Sequence, residues 1–244
     1  MLFRSLAELA SARPVTRRHW VTTSLGSLRL VQGAGTSMWF AGNIAASRSL
    51  HLFHWPDASD AVTKWQVKVG PWNDTDYTSS TPGGGQWLSR LDDRITGGWR
   101  AGGHLGFLWS AGRATGRPHP YVRAVTISEQ TLKVTAEPDL WSQNGAWAYP
   151  AAAANKAGTV GLTAFYGGPD HPAHAVGVLD ATSNTWATKL TATSTHSPLQ
   201  GKWGDYVVCR AHPSRRTSWI ASGYTLQGGQ DRRNIEPRYV VFRR

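Results

Sequence analysis

The sequence predicts an all-β fold, a β-propeller-like array of about four four-stranded antiparallel blades, and three observations predict it. A strand-turn-strand unit recurs along the chain about every 55–70 residues, and internal repetition at a fixed period marks repeat architectures. The 244 residues include 13 Trp and 26 Gly, a mix that suits half-buried strands joined by tight turns. No helical periodicity of useful length follows residue 12, and turn clusters such as Ala111-Gly112-Arg113 and Tyr166-Gly167-Gly168-Pro169 separate the apolar runs. Four units are either a small closed ring or part of a larger one, since propellers have about 4–8 blades. A sandwich of two large sheets is the competing architecture.

The chain divides into an N-terminal segment, 1–27, and a propeller domain, 28–244. Met1–Ala12 reads as a short amphipathic helix interrupted by Glu8. It has no long apolar h-region and makes a poor signal peptide. His19–Thr23 is placed to supply the outer strand that the last unit lacks. First strands are predicted at Leu28–Gln32, Arg94–Arg100, Trp147–Ala154 and Trp203–Arg210. Small residues crowd them, notably Gly97-Gly98 and Ala151–Ala154, as the innermost strands of converging blades require. Second strands are aromatic and apolar: Met38–Gly42, Leu105–Trp109, Val160–Tyr166 and Thr217–Ala221. Third strands run over Leu50–Trp55, His119–Val125, His171–Val178 and Glu236–Phe242, and Pro introduces the last three, where no ladder donor is needed. Fourth strands fall at Thr63–Val69, Thr131–Ala136 and Trp186–Thr193.

Bulk properties exclude several function classes. The formal charge of +11 comes from 26 Lys and Arg against 15 Asp and Glu. These cations are scattered and no recognition motif accompanies them, so they raise general attraction to polyanions without specifying nucleic acid. No apolar run approaches the ~20 residues of a membrane-spanning helix. Cys209 is the single cysteine, so no internal disulfide forms, and its valine neighbours read as a strand. His51 and His54, like His171 and His174, are three apart, which puts each pair on opposite faces of a strand and disfavours a shared metal. Thr81–Gln86 is Gly-rich but lacks the Lys-Ser/Thr and the helix of a phosphate loop. No pattern calls for a cofactor.

Ala148-Tyr149-Pro150-Ala151, Gly161–Tyr166, Gly201–Tyr206 and Thr217–Ala221 resemble segments of uncharacterised secreted bacterial and fungal propeller proteins that are loosely sialidase-like, of the BNR type. The resemblance runs from about residue 28 to the C-terminus. It implies a propeller fold and secretion. Because members are longer, with more blades and an export signal, it also implies that this chain corresponds to a C-terminal portion. The sialidase signature turn, Ser-x-Asp-x-Gly-x-Thr-Trp, is matched approximately by Asp180–Trp186, without the Gly. Such a turn is a structural hairpin and speaks for fold alone.

A sialidase site needs an arginine cluster, a Tyr nucleophile with an acidic partner, and an Asp acid/base. Arg94, Tyr149, Asp205 and Tyr206 are the candidates. Against this, Trp203-Gly204-Asp205-Tyr206 also reads as a structural corner whose Asp caps backbone N–H groups. Trp39, Trp109 and Trp219 fall on second strands and read as blade packing, whereas Trp72, Trp87, Trp141, Trp147 and Trp203 fall near loops or strand starts. An exposed indole face stacks on a sugar ring. The resulting expectation is a binding module for a carbohydrate or another extracellular polymer, with Arg94, Trp147, Tyr149, Trp203, Asp205 and Tyr206 converging at one axial end. A sialidase-like glycoside hydrolase and a propeller fragment without activity of its own are the competing readings.

Overall fold

The computed structural model of the chain describes residues 2–4, 10–12, 17–201, 203–204 and 206–244. Among them, an outlying pair is formed by β1 (Leu2–Arg4) and β2 (Arg17–His19). The first blade is β3 (Arg29–Leu30), β4 (Ser37–Ile44), β5 (Ser49–Pro56) and β6 (Thr63–Lys68). The second is β7 (Ile95–Ala101), β8 (His104–Ala111), β9 (Tyr121–Ser128) and β10 (Val134–Ala136). The third is β11 (Ala146–Ala154), β12 (Val160–Gly167), β13 (Ala173–Asp180) and β14 (Thr185–Thr193). The fourth has three strands, β15 (Val208–Ala211), β16 (Ser218–Leu226) and β17 (Ile235–Arg243). Every neighbour within a blade is antiparallel, in sequence order. The all-β, propeller-like class read from the sequence is the class of the structure.

The first strands gather side by side: β3 lies against β7, β7 against β11, and β11 against β15. Residue size explains how they come so close. A Cβ on Gly97 would stand 3.3 Å from the Ala151 Cα and 2.7 Å from Leu108, and one on Gly98 would stand 3.4 Å from the Val31 Cα. Gln32 ties the assembly together. Its backbone N–H donates to the Gly98 carbonyl at 3.0 Å and its carbonyl accepts from the Arg100 N–H at 2.9 Å. Its side-chain amide donates to the carbonyls of Ala152 at 3.1 Å and Cys209 at 2.8 Å. One residue therefore bonds to the first strands of the other three blades. Cys209 is fully buried there, and burial pushes its thiol up to about 12, so it packs as a small apolar group and is not a nucleophile.

The apolar core lies between neighbouring blades. Trp39, Leu52, Phe107 and Trp109 fill the space between the first and second, and Trp99, Leu108, Leu162 and Ala175 that between the second and third. Phe165, Trp203, Cys209 and Trp219 fill that between the third and fourth, with Trp87 and Leu88 from the long 70–94 connection. The far face of the first blade, Phe40, Phe53 and Trp55, is covered by Trp20, Leu25 and Leu28.

Several expectations need correction. Leu2–Arg4 is a strand and not part of a helix over Met1–Ala12; of the rest, 1 and 5–9 lie outside the described residues. The anticipated closing strand is not made by His19–Thr23: β2 pairs with β1 and not with β17. The first strand of the last blade starts at Val208, five residues later than predicted, because Trp203 and Gly204 are held in a corner. The Trp203 N–H donates to the Gly201 carbonyl, and the Gly204 N–H donates to the Tyr224 hydroxyl at 2.9 Å. Finally, Pro237 lies within β17 rather than at its mouth, which an edge strand tolerates.

Candidate functional site

A cleft of about 800 Å³ lies at one axial end, between the third and fourth blades, within the ~300–1,000 Å³ usual for ligand sites. Arg90 and Arg94 reach it from the 70–94 connection, Tyr149 from β11, and Trp203, Gly204 and Tyr206 from the corner before β15. Tyr224 comes from β16, Asp231 and Arg232 from the link to β17, and Ile235 from the start of β17. A smaller cavity of about 150 Å³ lies beside it at the starts of the first strands, lined by Ser27–Arg29, Arg94–Thr96, Pro150 and Val207. Arg94 lines both.

The floor is a fixed aromatic assembly. The Trp203 ring lies 4.7 Å from Tyr224, 5.1 Å edge-on from Phe165 and 6.1 Å edge-on from Trp87. Its indole N–H is buried without a hydrogen-bond partner among the described residues, and a buried donor calls for an acceptor. Tyr149 donates its hydroxyl to the Trp203 carbonyl at 3.1 Å, and its N–H to the Ser110 hydroxyl at 3.1 Å. It sits where the β11 register shifts, with φ at 54°, a left-handed conformation that is strained for a residue with a bulky side chain. Tyr206, at 82% exposure, stands over the opening.

The rim is cationic. The side chains of Arg90 and Arg232 are exposed and make no hydrogen bond or close ion pair among the described residues, though the Arg232 charge, after the Arg233 hydrogen bonds, helps to hold the Asp231 carboxyl low, whereas Arg94 pairs with Asp92 at 2.8 Å. Asp231 is the one carboxylate among the described lining residues. It accepts from the Arg233 side chain at 2.8 Å and from the Arg233 N–H, which caps the 3₁₀ turn at Arg232–Asn234. The Arg233 hydrogen bond holds its carboxyl below the usual carboxylate range. The described lining residues thus form an aromatic floor under a net positive rim.

Of the six residues read from the sequence, Arg94, Tyr149, Trp203 and Tyr206 line this cleft. Asp205 lies outside the described residues. Trp147 is elsewhere: its ring packs 4.9 Å from Tyr166 and lines a different groove, with Trp141 and Trp186. The register shift explains the split, because the left-handed Tyr149 at the bulge breaks the two-residue alternation that would put both rings on one face. Most of the tryptophans near loops and strand starts are buried plugs and not exposed sugar-stacking faces. Trp87, Trp147 and Trp203 are buried and Trp72 half-buried, its N–H donated to Asp93; only Trp141 of that group is exposed. Sequence reasoning missed Arg90, Tyr224 and Arg232, which come from separate segments with no shared spacing.

The rings of the second histidine pair are hydrogen-bonded to hydroxyls. His174 is fully buried, bonded to the hydroxyls of Thr163 and Thr191 at 2.7 Å each, and burial pushes it down to about 4. His171 is bonded to Ser197. The Asp180–Trp186 segment is the β13–β14 hairpin. Asp180 accepts from the Thr182 and Ser183 N–H groups, and Asn184 takes the left-handed position with φ at 53°. No helix among the described residues is long and apolar enough to cross a membrane.

Fold and cleft define a β-propeller-like protein with an axial opening. No protein-family model matches the chain, and no curated protein matches it. Twenty-six chains among solved structures do. One is the Bacteroides ovatus xyloglucan PUL GH43B protein, at 12% identity and a TM-score of 0.46, over 88% of this chain. The match covers 37% of that protein's chain, so this chain spans little more than a third of its length.

Proposed function

We propose that the chain is a carbohydrate-binding propeller whose axial cleft holds an acidic glycan. The observation that carries this reading is the pairing, in one cleft, of the Tyr149–Trp203–Tyr224 floor with the uncommitted Arg90 and Arg232. Aromatic faces cover the apolar C–H faces of sugar rings, and guanidinium groups bind carboxylates or sulfates by charge-assisted hydrogen bonds. The floor rings are locked by packing, so little ordering entropy is lost on binding. The test is a panel of acidic and neutral oligosaccharides with tryptophan fluorescence as the readout. Binding of acidic members with a change in emission supports the reading, and a folded protein that binds none overturns it.

One observation favours the sialidase-like reading: a strained Tyr149 shares a wall with Arg94, and strain gathers at reacting groups. Binding is the better account among the described residues, where the Tyr149 hydroxyl donates to a neutral carbonyl and Asp231 accepts from Arg233. Glycoside hydrolysis needs an available acid/base and a nucleophile. Turnover of a fluorogenic sialoside by the wild-type chain, lost in Tyr149→Phe, would replace binding with catalysis.

A further inference from the structure

We infer that the groove along β14 is a second carbohydrate site, specific for neutral sugars and independent of the axial cleft. Trp186, Thr188 and Leu190 occupy alternate positions of β14, so the strand presents them on one face. Trp141 and Ser142 from the 137–145 loop stand across from them, with Tyr166 and Trp147 behind, enclosing about 370 Å³.

Three features point to a sugar and not to a wholly apolar partner. First, the indoles are preorganised at different depths. Trp186 donates its N–H to the Pro138 carbonyl and packs edge-on against the buried Trp99 at 6.3 Å, which fixes its plane. Trp141 is 42% exposed and free to cover a ring from the other side. Second, the groove offers hydroxyls with unused capacity. Among the described residues, those of Tyr166 and Thr188 make no hydrogen bond, and Ser142 only accepts one, from the Asn144 N–H. A pyranose needs this combination, since its C–H faces are apolar while its hydroxyls radiate at the edge and require partners. Third, none of the eight lining residues is charged, although the chain carries a net +11. An anionic ligand finds no counter-charge here, and a neutral one loses nothing.

The test uses the full chain, cellohexaose, xylohexaose and mannohexaose as probes, and calorimetric titration. Trp141→Ala removes an exposed side chain, so its melting temperature should stay at the wild-type value. At least one neutral probe should bind, weakened about tenfold or more by Trp141→Ala and unchanged by the cleft variant Arg90→Ala/Arg232→Ala. Thr188→Val, which keeps shape and removes the hydroxyl, should weaken the same probe. Three outcomes would overturn the inference: no neutral probe binds, the cleft variant rather than Trp141→Ala abolishes binding, or Trp141→Ala only dissolves a concentration-dependent dimer seen by sedimentation. Failure here leaves the acidic-glycan reading of the cleft untouched, because that reading depends on different residues and different probes.

Discussion

Polar groups in the interior of the blades and the exposed cations at the rim of the axial cleft differ in how far they are committed to partners. Inside, most charged and amide groups are committed, although the Arg123 Nε has no hydrogen-bond partner among the described residues. Arg123 and Asp139, with side-chain exposures of 3% and 4%, pair at 2.6 Å, while Glu137 and Arg117 complete the network. Gln32 spends its amide on two carbonyls and His174 its ring on two threonines. At the cleft, Arg90 and Arg232 are exposed and uncommitted, and Tyr206 stands in solvent. The difference teaches how to sort polar residues in this molecule. A committed, buried group holds the blades together, whereas an uncommitted group above an aromatic floor is available to a ligand.

Changes to the interior should therefore cost stability, in graded amounts. Asp139→Ala leaves Arg123 buried without its closest partner, and breaking such a pair costs about 3–5 kcal/mol. Denaturant titration should show that loss; a change under ~1 kcal/mol would remove the network from the interior class. His174 supplies a pH test. Its folded-state value, about 4, lies below the ordinary 6.5, so the unfolded chain binds a proton that the folded chain refuses. Its contribution is complete above pH 6.5 and is lost as pH falls towards 4, on the order of 3 kcal/mol. Melting temperature should drop across that window in the wild type, and the drop should shrink in His174→Gln. Gln32→Ala strands two carbonyls near the axis and should cost about 2 kcal/mol. If the blades are one unit around Gln32, unfolding should also stay a single cooperative transition in the wild type. At the cleft the order reverses. Arg90→Ala should change stability by less than ~0.5 kcal/mol while weakening an acidic glycan about tenfold. Added salt should narrow the gap between variant and wild type.

Much of the fold was legible because blade strands carry local signals. The aromatic second strands and the third strands, Pro-led in three of four units, fell within a few residues of β4, β8, β12, β16 and of β5, β9, β13, β17. Gly97-Gly98 marked the axis by their size alone. The candidate site was legible only in part. Arg94, Tyr149, Trp203 and Tyr206 stand near strand starts, where a repeat reading looks for them. Trp147 went astray because a bulge and a left-handed Tyr149 reverse the face, which strict alternation does not anticipate. The first strand of the last blade was placed too early, at Trp203 instead of Val208, whereas the reading of this segment as a corner agrees with Trp203 and Gly204, the latter clamped by the Tyr224 hydroxyl 20 residues away. Arg90, Tyr224 and Arg232 join the cleft through tertiary packing of three segments, so no local pattern announces them.

The most direct test compares wild type with Arg90→Ala/Arg232→Ala by calorimetric titration of an oligogalacturonate and a heparin-derived oligosaccharide, with thermal melts run alongside. The account predicts that the wild type binds an acidic oligosaccharide and that the double variant binds it roughly 100-fold more weakly, two tenfold steps of about 1.4 kcal/mol each, at an unchanged melting temperature. Undiminished binding by a folded double variant, or a folded wild type that binds neither acidic probe, would contradict it.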